Sequence, residues 1–237
     1  MPAPDPSVLL HVWERGLLHP LQRQVVALLA AITPGSSEAT IAALPLGTRD
    51  AMLLDLREAL FGSALATIVS CPRCGEPLEA GFAIDDIRVP PHLAPPIDTV
   101  RDLRIRPPAT ADLLAIPAGA DAAAVRTILF ERCVTAPDGS PVAPDALPQS
   151  AIAPIVAAMA EADPQAMVEL DFSCVACDHC FVAIFDIAAF LMREIHRWAG
   201  QMLREIGSLA RAYGWREADI LALSPARRRL YVEMASS

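Results

Sequence analysis

Apolar residues recur at helical spacing over 7–32, break at Gly16, and resume after Pro20, which predicts two short helices joined by a tight turn. A third helix is predicted over 48–61, with Thr48 as its N-cap, Met52, Leu53, Leu56, Leu60 and Phe61 on its apolar face, and Gly62 as its stop. The pattern then changes from helical to extended. Strand-forming residues flank Cys71-Pro-Arg-Cys74-Gly and, about a hundred residues on, Cys174-Val-Ala-Cys177-Asp, so each copy reads strand, turn, strand. The second copy is fed by a predicted strand over 165–172, in which Val168, Leu170 and Phe172 alternate with Glu169 and Asp171.

Between the two hairpins, 89–108 is dense in proline and reads as a rigid extended connection around a strand at 99–106. Helices follow at 110–116, 122–133 and 149–162, with Asp138-Gly139 marking a turn. Glu161 and Asp163, just before Pro164, read as solvation of a helix end. From Asp186 to Tyr213 no proline intervenes, and Ile187, Leu191, Ile195, Trp198, Met202, Ile206, Leu209 and Tyr213 recur every three or four residues. This predicts one amphipathic helix roughly 40 Å long, whose stripe packs either on the chain's own helices or on another subunit. Its opposite face carries Arg193, Glu194, Arg197, Arg204, Glu205 and Arg211, read as solvated. Gly214 ends it, and a helical hairpin follows over 215–223 and 226–234, with Ser224 capping and Pro225 at the first position.

The whole reads as an α+β chain, mainly helical: a zinc-ribbon-like pair of CxxC β-hairpins flanked by N-terminal helices and a long C-terminal helix ending in a helical hairpin. The segments are an N-terminal helical part (1–62), a first knuckle hairpin (63–88), a Pro-rich connection and helical middle (89–164), a second knuckle hairpin (165–186), and the long helix with its terminal hairpin (187–237).

The paired CxxC turns predict one structural zinc site. Each turn aims two sulfurs at a common point, and two such turns complete a closed tetrahedron with no open position for catalysis. Gly75, and Asp178 in the second copy, suit the positive φ that follows such a turn. Alignment of the copies gives Cys71, Cys74, Cys174 and Cys177 as ligands, with Cys180 as the alternative to Cys177. Disulfides are disfavoured because no signal peptide is read and a reducing cytoplasm is expected. A thioredoxin-like motif would open a helix, whereas strand formers follow each pair here. Cys133, in an apolar run, reads as an ordinary buried thiol.

Composition narrows the function. The 237 residues are 54% hydrophobic, enough for a substantial core, and no apolar run is long enough to span a bilayer. A net charge of −9 argues against nucleic-acid binding, which draws its affinity from cationic side chains. The one basic run, Arg227-Arg228-Arg229, reads as a solvated helix end. No nucleophile, phosphate-loop, dinucleotide or metalloprotease motif occurs, and the histidines have no paired carboxylates, so a non-enzymatic role is expected.

Several stretches carry a family resemblance: Leu10-His11-Val12-Trp13-Glu14-Arg15-Gly16, the run from Ala43 to Asp50 leading into Leu60-Phe61-Gly62, the first knuckle, Phe185-Asp186-Ile187 through Glu194, Ala212-Tyr213-Gly214-Trp215, and Ile220 through Tyr231. Over nearly its whole length the chain resembles the T4-type baseplate proteins of contractile phage tails and phage-tail-like extracellular injection systems. At the second knuckle it departs from them, with Val175 in place of a proline, Asp178 in place of a glycine, and Cys180 added, which leaves the fourth ligand open between Cys177 and Cys180. The resemblance implies a non-enzymatic structural component or assembly factor of the baseplate near the hub and spike. Its partners would be other baseplate, hub or spike proteins, with no nucleic acid and no small-molecule substrate. It would be located in the bacterial cytoplasm during assembly or in the assembled particle. Trp198, Trp215 and Tyr231 are candidate contact anchors, or equally core residues. Two rival classes are a zinc-ribbon enzyme or enzyme subunit, with Asp85, Asp86 and Asp186 as acids near the metal, and a transcription-associated ribbon.

Overall fold

The computed structural model describes residues 3–90 and 102–235. Asp5 accepts from the Ser7 amide at 2.8 Å and opens α1 (Pro6–Gly16), with Pro6 in the first turn, where a missing N–H costs nothing. A short turn leads to α2 (Leu21–Ile32), and α3 (Glu38–Ala42), capped by Ser37, closes this N-terminal group.

Helix α4 (Leu46–Phe61) starts two residues earlier than the sequence predicts, so Thr48 lies inside the first turn and Pro45 holds the cap position. Distant parts of the chain satisfy the orphan donors that a cap would serve. The Leu46 amide donates to the Pro108 carbonyl at 3.0 Å, and the Gly47 amide donates to the Asp163 carboxylate at 2.8 Å. Asp163 is therefore buried and structural, not a solvated helix end.

The first hairpin follows as β1 (Ala64–Ser70) and β2 (Pro77–Ala83), antiparallel, leading into the single turn α5 (Ile84–Ile87). Of the strand predicted over 99–106, positions 99–101 lie outside the described residues. Its described part is only β3 (Arg104–Ile105). Next come α6 (Thr110–Leu114), α7 (Ala122–Cys133), β4 (Val134–Thr135), which pairs with β3, and α8 (Gln149–Ala162). Ile105, Phe130, Val134 and Ile155 form a small separate core here.

The predicted strand 165–172 begins only at Val168. Residues 164–166 form a 3-10 turn that buries Gln165, whose side chain accepts from the Val89 amide at 2.7 Å and donates to the Ile87 carbonyl at 3.3 Å. The second hairpin is β5 (Val168–Ser173) paired with β6 (Cys180–Phe185). The long helix is α9 (Ile187–Tyr213), as predicted: Asp186 caps it by accepting from the Ala189 amide at 3.0 Å, and Gly214, at φ 66°, ends it. The terminal hairpin is α10 (Glu217–Leu221) and α11 (Pro225–Ala235).

The stripe of α9 packs on the chain's own helices. Its first half, with Leu191 and Ile195, closes the main core against α1, α2 and α4; its second half, with Met202 and Leu209, closes another against α10 and α11. Each such fully buried side chain contributes about 1.5–3 kcal/mol, so α9 is the spine that joins both cores. Its polar face is less wet than its sequence suggests. Glu194 takes a bidentate ion pair from buried Arg57, at 3.0 Å for each bond, and Glu205 pairs with Arg228 at 2.7 Å. Arg228 is itself buried, which corrects the reading of 227–229 as a uniformly solvated end. Among the described residues no helix is long and apolar enough to cross a membrane.

Candidate metal centre

Both CxxC segments fold as the same knuckle. In the first, the Gly75 amide donates to the Cys71 carbonyl at 2.9 Å and the Cys71 amide to the Glu76 carbonyl at 2.9 Å. In the second, the Asp178 amide donates to the Cys174 carbonyl at 2.8 Å and the Cys174 amide to the His179 carbonyl at 3.0 Å. Gly75 (φ 80°) and Asp178 (φ 54°) occupy the equivalent left-handed position. Aspartate is one of the few side chains that tolerates that position, which explains how the second copy keeps the turn without glycine.

The two knuckles bring four sulfurs together. Cys71 Sγ lies 3.8 Å from Cys177 Sγ, Cys74 Sγ lies 3.6 Å from Cys174 Sγ, and all four lie within 4.8 Å of one another. A tetrahedron with metal–sulfur bonds of about 2.3 Å has sulfur–sulfur edges of about 3.8 Å, so these spacings fit a four-thiolate metal site. They are far longer than a disulfide bond, and every cysteine is a free thiol.

The electrostatics fit the same ligand set. Burial pushes the Cys71 thiol up, but the amides of Cys74 and Arg73 and the adjacent thiols of Cys74 and Cys174 bring it down to about 7. At Cys177 the His179 amide favours the thiolate, yet burial and the other three thiols win and push it up to about 12. One thiolate forms readily and the next is opposed by its neighbours, a repulsion that a divalent cation at the centre would relieve. The Glu76 amide on Cys74 and the His179 amide on Cys177 are equivalent donors that orient two of the four sulfurs.

The cluster that could hold a metal contains Cys177, and Cys180 stands apart from it. It is the first residue of β6, exposed, with its thiol 3.9 Å from the Ser173 hydroxyl, its cross-strand partner. Cys133 is buried and raised to about 11, chiefly by burial, with its thiol donating to Asp112 at 3.8 Å.

Asp85, Asp86 and Asp186 do not gather near the sulfurs. Asp86 accepts from the Ala83 amide, Asp186 caps α9, and Asp85 is exposed beside Arg88. All three follow the strand ends opposite the knuckles, about 20 Å away at some 3.3 Å per strand residue. The aromatic candidates are half-buried. Trp198 packs against both cores, while Trp215 stacks on Tyr213 (centroids 4.8 Å apart) and meets Tyr231 edge-on (4.9 Å), tying α11 to the end of α9.

The sequence reading missed a set of buried polar groups. Arg49 binds Asp50 and Gln22, each at 2.7 Å, and Thr110 at 3.3 Å; burial, opposed by Arg49, raises Asp50 to about 6. Asp112 accepts from Arg106 and Arg132 and from the Ala109 amide; burial opposes its charge, but these partners win and hold it at about 2. In comparisons with known proteins, no family model, no curated protein and no solved structure matches the chain.

Proposed function

We propose that this chain is a non-enzymatic structural or assembly component of the baseplate, in the hub region, of a contractile phage tail or phage-tail-like injection system, with Cys71, Cys74, Cys174 and Cys177 holding one structural zinc ion. The observation that carries the structural half of this reading is the four-sulfur cluster, drawn from hairpins far apart in sequence and spaced for a closed tetrahedral site. Such a site offers no open coordination position, and the acids that could serve catalysis nearby are engaged at the far ends of the hairpins. The ion would close a loop of about a hundred residues and fix the tips of both hairpins on a scaffold whose bases are set by α4 and α9.

The baseplate setting is supported by the resemblance of the segments around Trp13, Cys71, Phe185–Glu194, Tyr213–Trp215 and Ile220–Tyr231 to the T4-type baseplate proteins. The partners are then other baseplate, hub or spike proteins. Two measurements test the reading. Elemental analysis of protein purified under reducing conditions should find one zinc per chain. Deleting the gene in a producing bacterium should leave the other tail proteins synthesised but no assembled particles in electron micrographs; normal particles would end the baseplate assignment, and metal-free protein would end the zinc assignment.

A further inference from the structure

A cleft of about 770 Å³ runs between one face of the β1–β2 hairpin and the outer flank of α9, walled by Ala66, Ile68 and Gly81 on one side and Phe190, Arg193 and Arg197 on the other. Arg193 also borders a hollow that runs between β1 and β6 to Ile184. Ile68 and Ile184 are 66% and 67% exposed, an unusual state for isoleucines on facing strands. Among the described residues β1 pairs with β2 alone, so its second edge keeps main-chain donors and acceptors open along this hollow.

Charge selects the occupant. Glu194 is neutralised by Arg57, Arg193 leans on the Phe190 ring at 6.0 Å, and among the described residues no acid forms an ion pair with Arg197. Arg193 and Arg197 outnumber Glu79 in the cleft, and Asp186, which borders the adjoining hollow, is engaged by the Ala189 amide as the cap of α9, so the cleft is locally cationic in a chain whose net charge is −9. We infer that this cleft docks an extended, acidic segment of a partner protein: the segment's backbone adds to the free edge of β1, an apolar side chain settles against Ile68 and Ile184, and carboxylates reach Arg193 and Arg197. The inference rests on the metal-centre reading in one respect. The sulfur cluster fixes the hairpin tips, as the edge-on contact of Phe82 with Phe185 (5.3 Å) fixes their bases, and together they hold the cleft at constant width.

The test is a displayed library of random twelve-residue peptides panned on the full-length, zinc-loaded chain, with the winners synthesised and their binding followed by fluorescence anisotropy. The winners should alternate apolar residues with carboxylates. The double substitution Arg193→Glu with Arg197→Glu, and separately Ile68→Asp, should each weaken their binding by about tenfold or more, while Arg15→Glu, in a different groove, should not. Zinc content is measured on the same samples. Protein found metal-free whose winners still respond to the charge reversal upholds docking and rejects the zinc reading. Zinc-loaded protein that enriches no peptide, or enriches peptides indifferent to both substitutions, overturns the docking site. Self-association that the charge reversal abolishes, with no peptide enriched, also overturns it and assigns the cleft to a second copy of the chain.

Discussion

The amide of Gly47 donates to the carboxylate of Asp163 at 2.8 Å across 116 positions of sequence, and that carboxylate and the Ala166 backbone crowd Gly47 so closely that no side chain fits there. A Cβ at Gly47 would collide with the Asp163 carboxylate and the Ala166 amide. Gly47→Ala should therefore destabilise the protein by about 2–3 kcal/mol, from overpacking together with a damaged buried hydrogen bond. Gly207→Ala is the control. That glycine lies inside α9 with open space around it, and alanine there should stabilise by roughly 0.5–1 kcal/mol. Urea unfolding of the two variants checks both signs.

Cysteine substitutions should sort into two groups. Serine at Cys71, Cys74, Cys174 or Cys177 should abolish stoichiometric zinc and expose the knuckles to limited proteolysis, whereas Cys180→Ser and Cys133→Ser should leave one zinc per chain. Retained zinc in Cys177→Ser and lost zinc in Cys180→Ser would reverse the ligand assignment. Because the sulfurs also pack with Leu78, Phe172 and Phe181, chelation should loosen the hairpin tips while leaving the helical cores folded.

Two aspartates give stability opposite slopes with pH. Asp112 is held at about 2, below its unfolded value, so its contribution is complete above about pH 4 and disappears as pH falls toward 2. Asp50 is raised to about 6, so burying its charge costs nothing below about pH 4 and the full penalty is present above about pH 6. Asp112→Asn should thus be destabilising at pH 7, and its difference from the parent should shrink at acid pH. The two arginines are nearly half exposed, which trims the effect to about 1–2 kcal/mol. Asp50→Asn should flatten the decline between pH 4 and 6. Denaturant midpoints of both variants and the parent across pH 2–8 measure these differences directly.

What could be read from the sequence was what local chemistry decides. The CxxC spacing, the left-handed positions at Gly75 and Asp178, and the helix stop at Gly214 each depend on a few adjacent residues, and all are found where the pattern puts them. Residues whose role is set by a distant partner were not legible. Arg57, Glu194, Glu205 and Arg228 sit at helical positions that look wet until the opposite helix supplies the counter-charge, and Asp163 looks like a helix-end acid until Gly47 arrives. The start of α4 moved for the same reason, since Pro108 and Asp163 do the work of a cap. Cys177 and Cys180 could not be separated by spacing, because strand pairing with Ser173 is what turns Cys180 away.

The ion pair of Arg228 with Glu205 is expected to fix where α11 docks without adding much stability. Both side chains are nearly enclosed, at 7% and 13% exposure, and the pair joins α11 to α9 beside Trp215 and Tyr231. Removing one partner leaves the other desolvated and uncompensated, so Glu205→Ala should cost about 3–5 kcal/mol. Replacing both with apolar groups of similar size removes the desolvation cost along with the attraction, so Arg228→Met combined with Glu205→Leu should lie within about 1 kcal/mol of the parent. Tryptophan fluorescence during urea titration would follow unfolding, with Trp215, in contact with Tyr213 and Tyr231, reporting the terminal hairpin alongside Trp13 and Trp198 in the cores. If the double variant proved as unstable as Glu205→Ala, the pair would be a net source of stability, and its role in fixing the position of α11 would need no separate explanation.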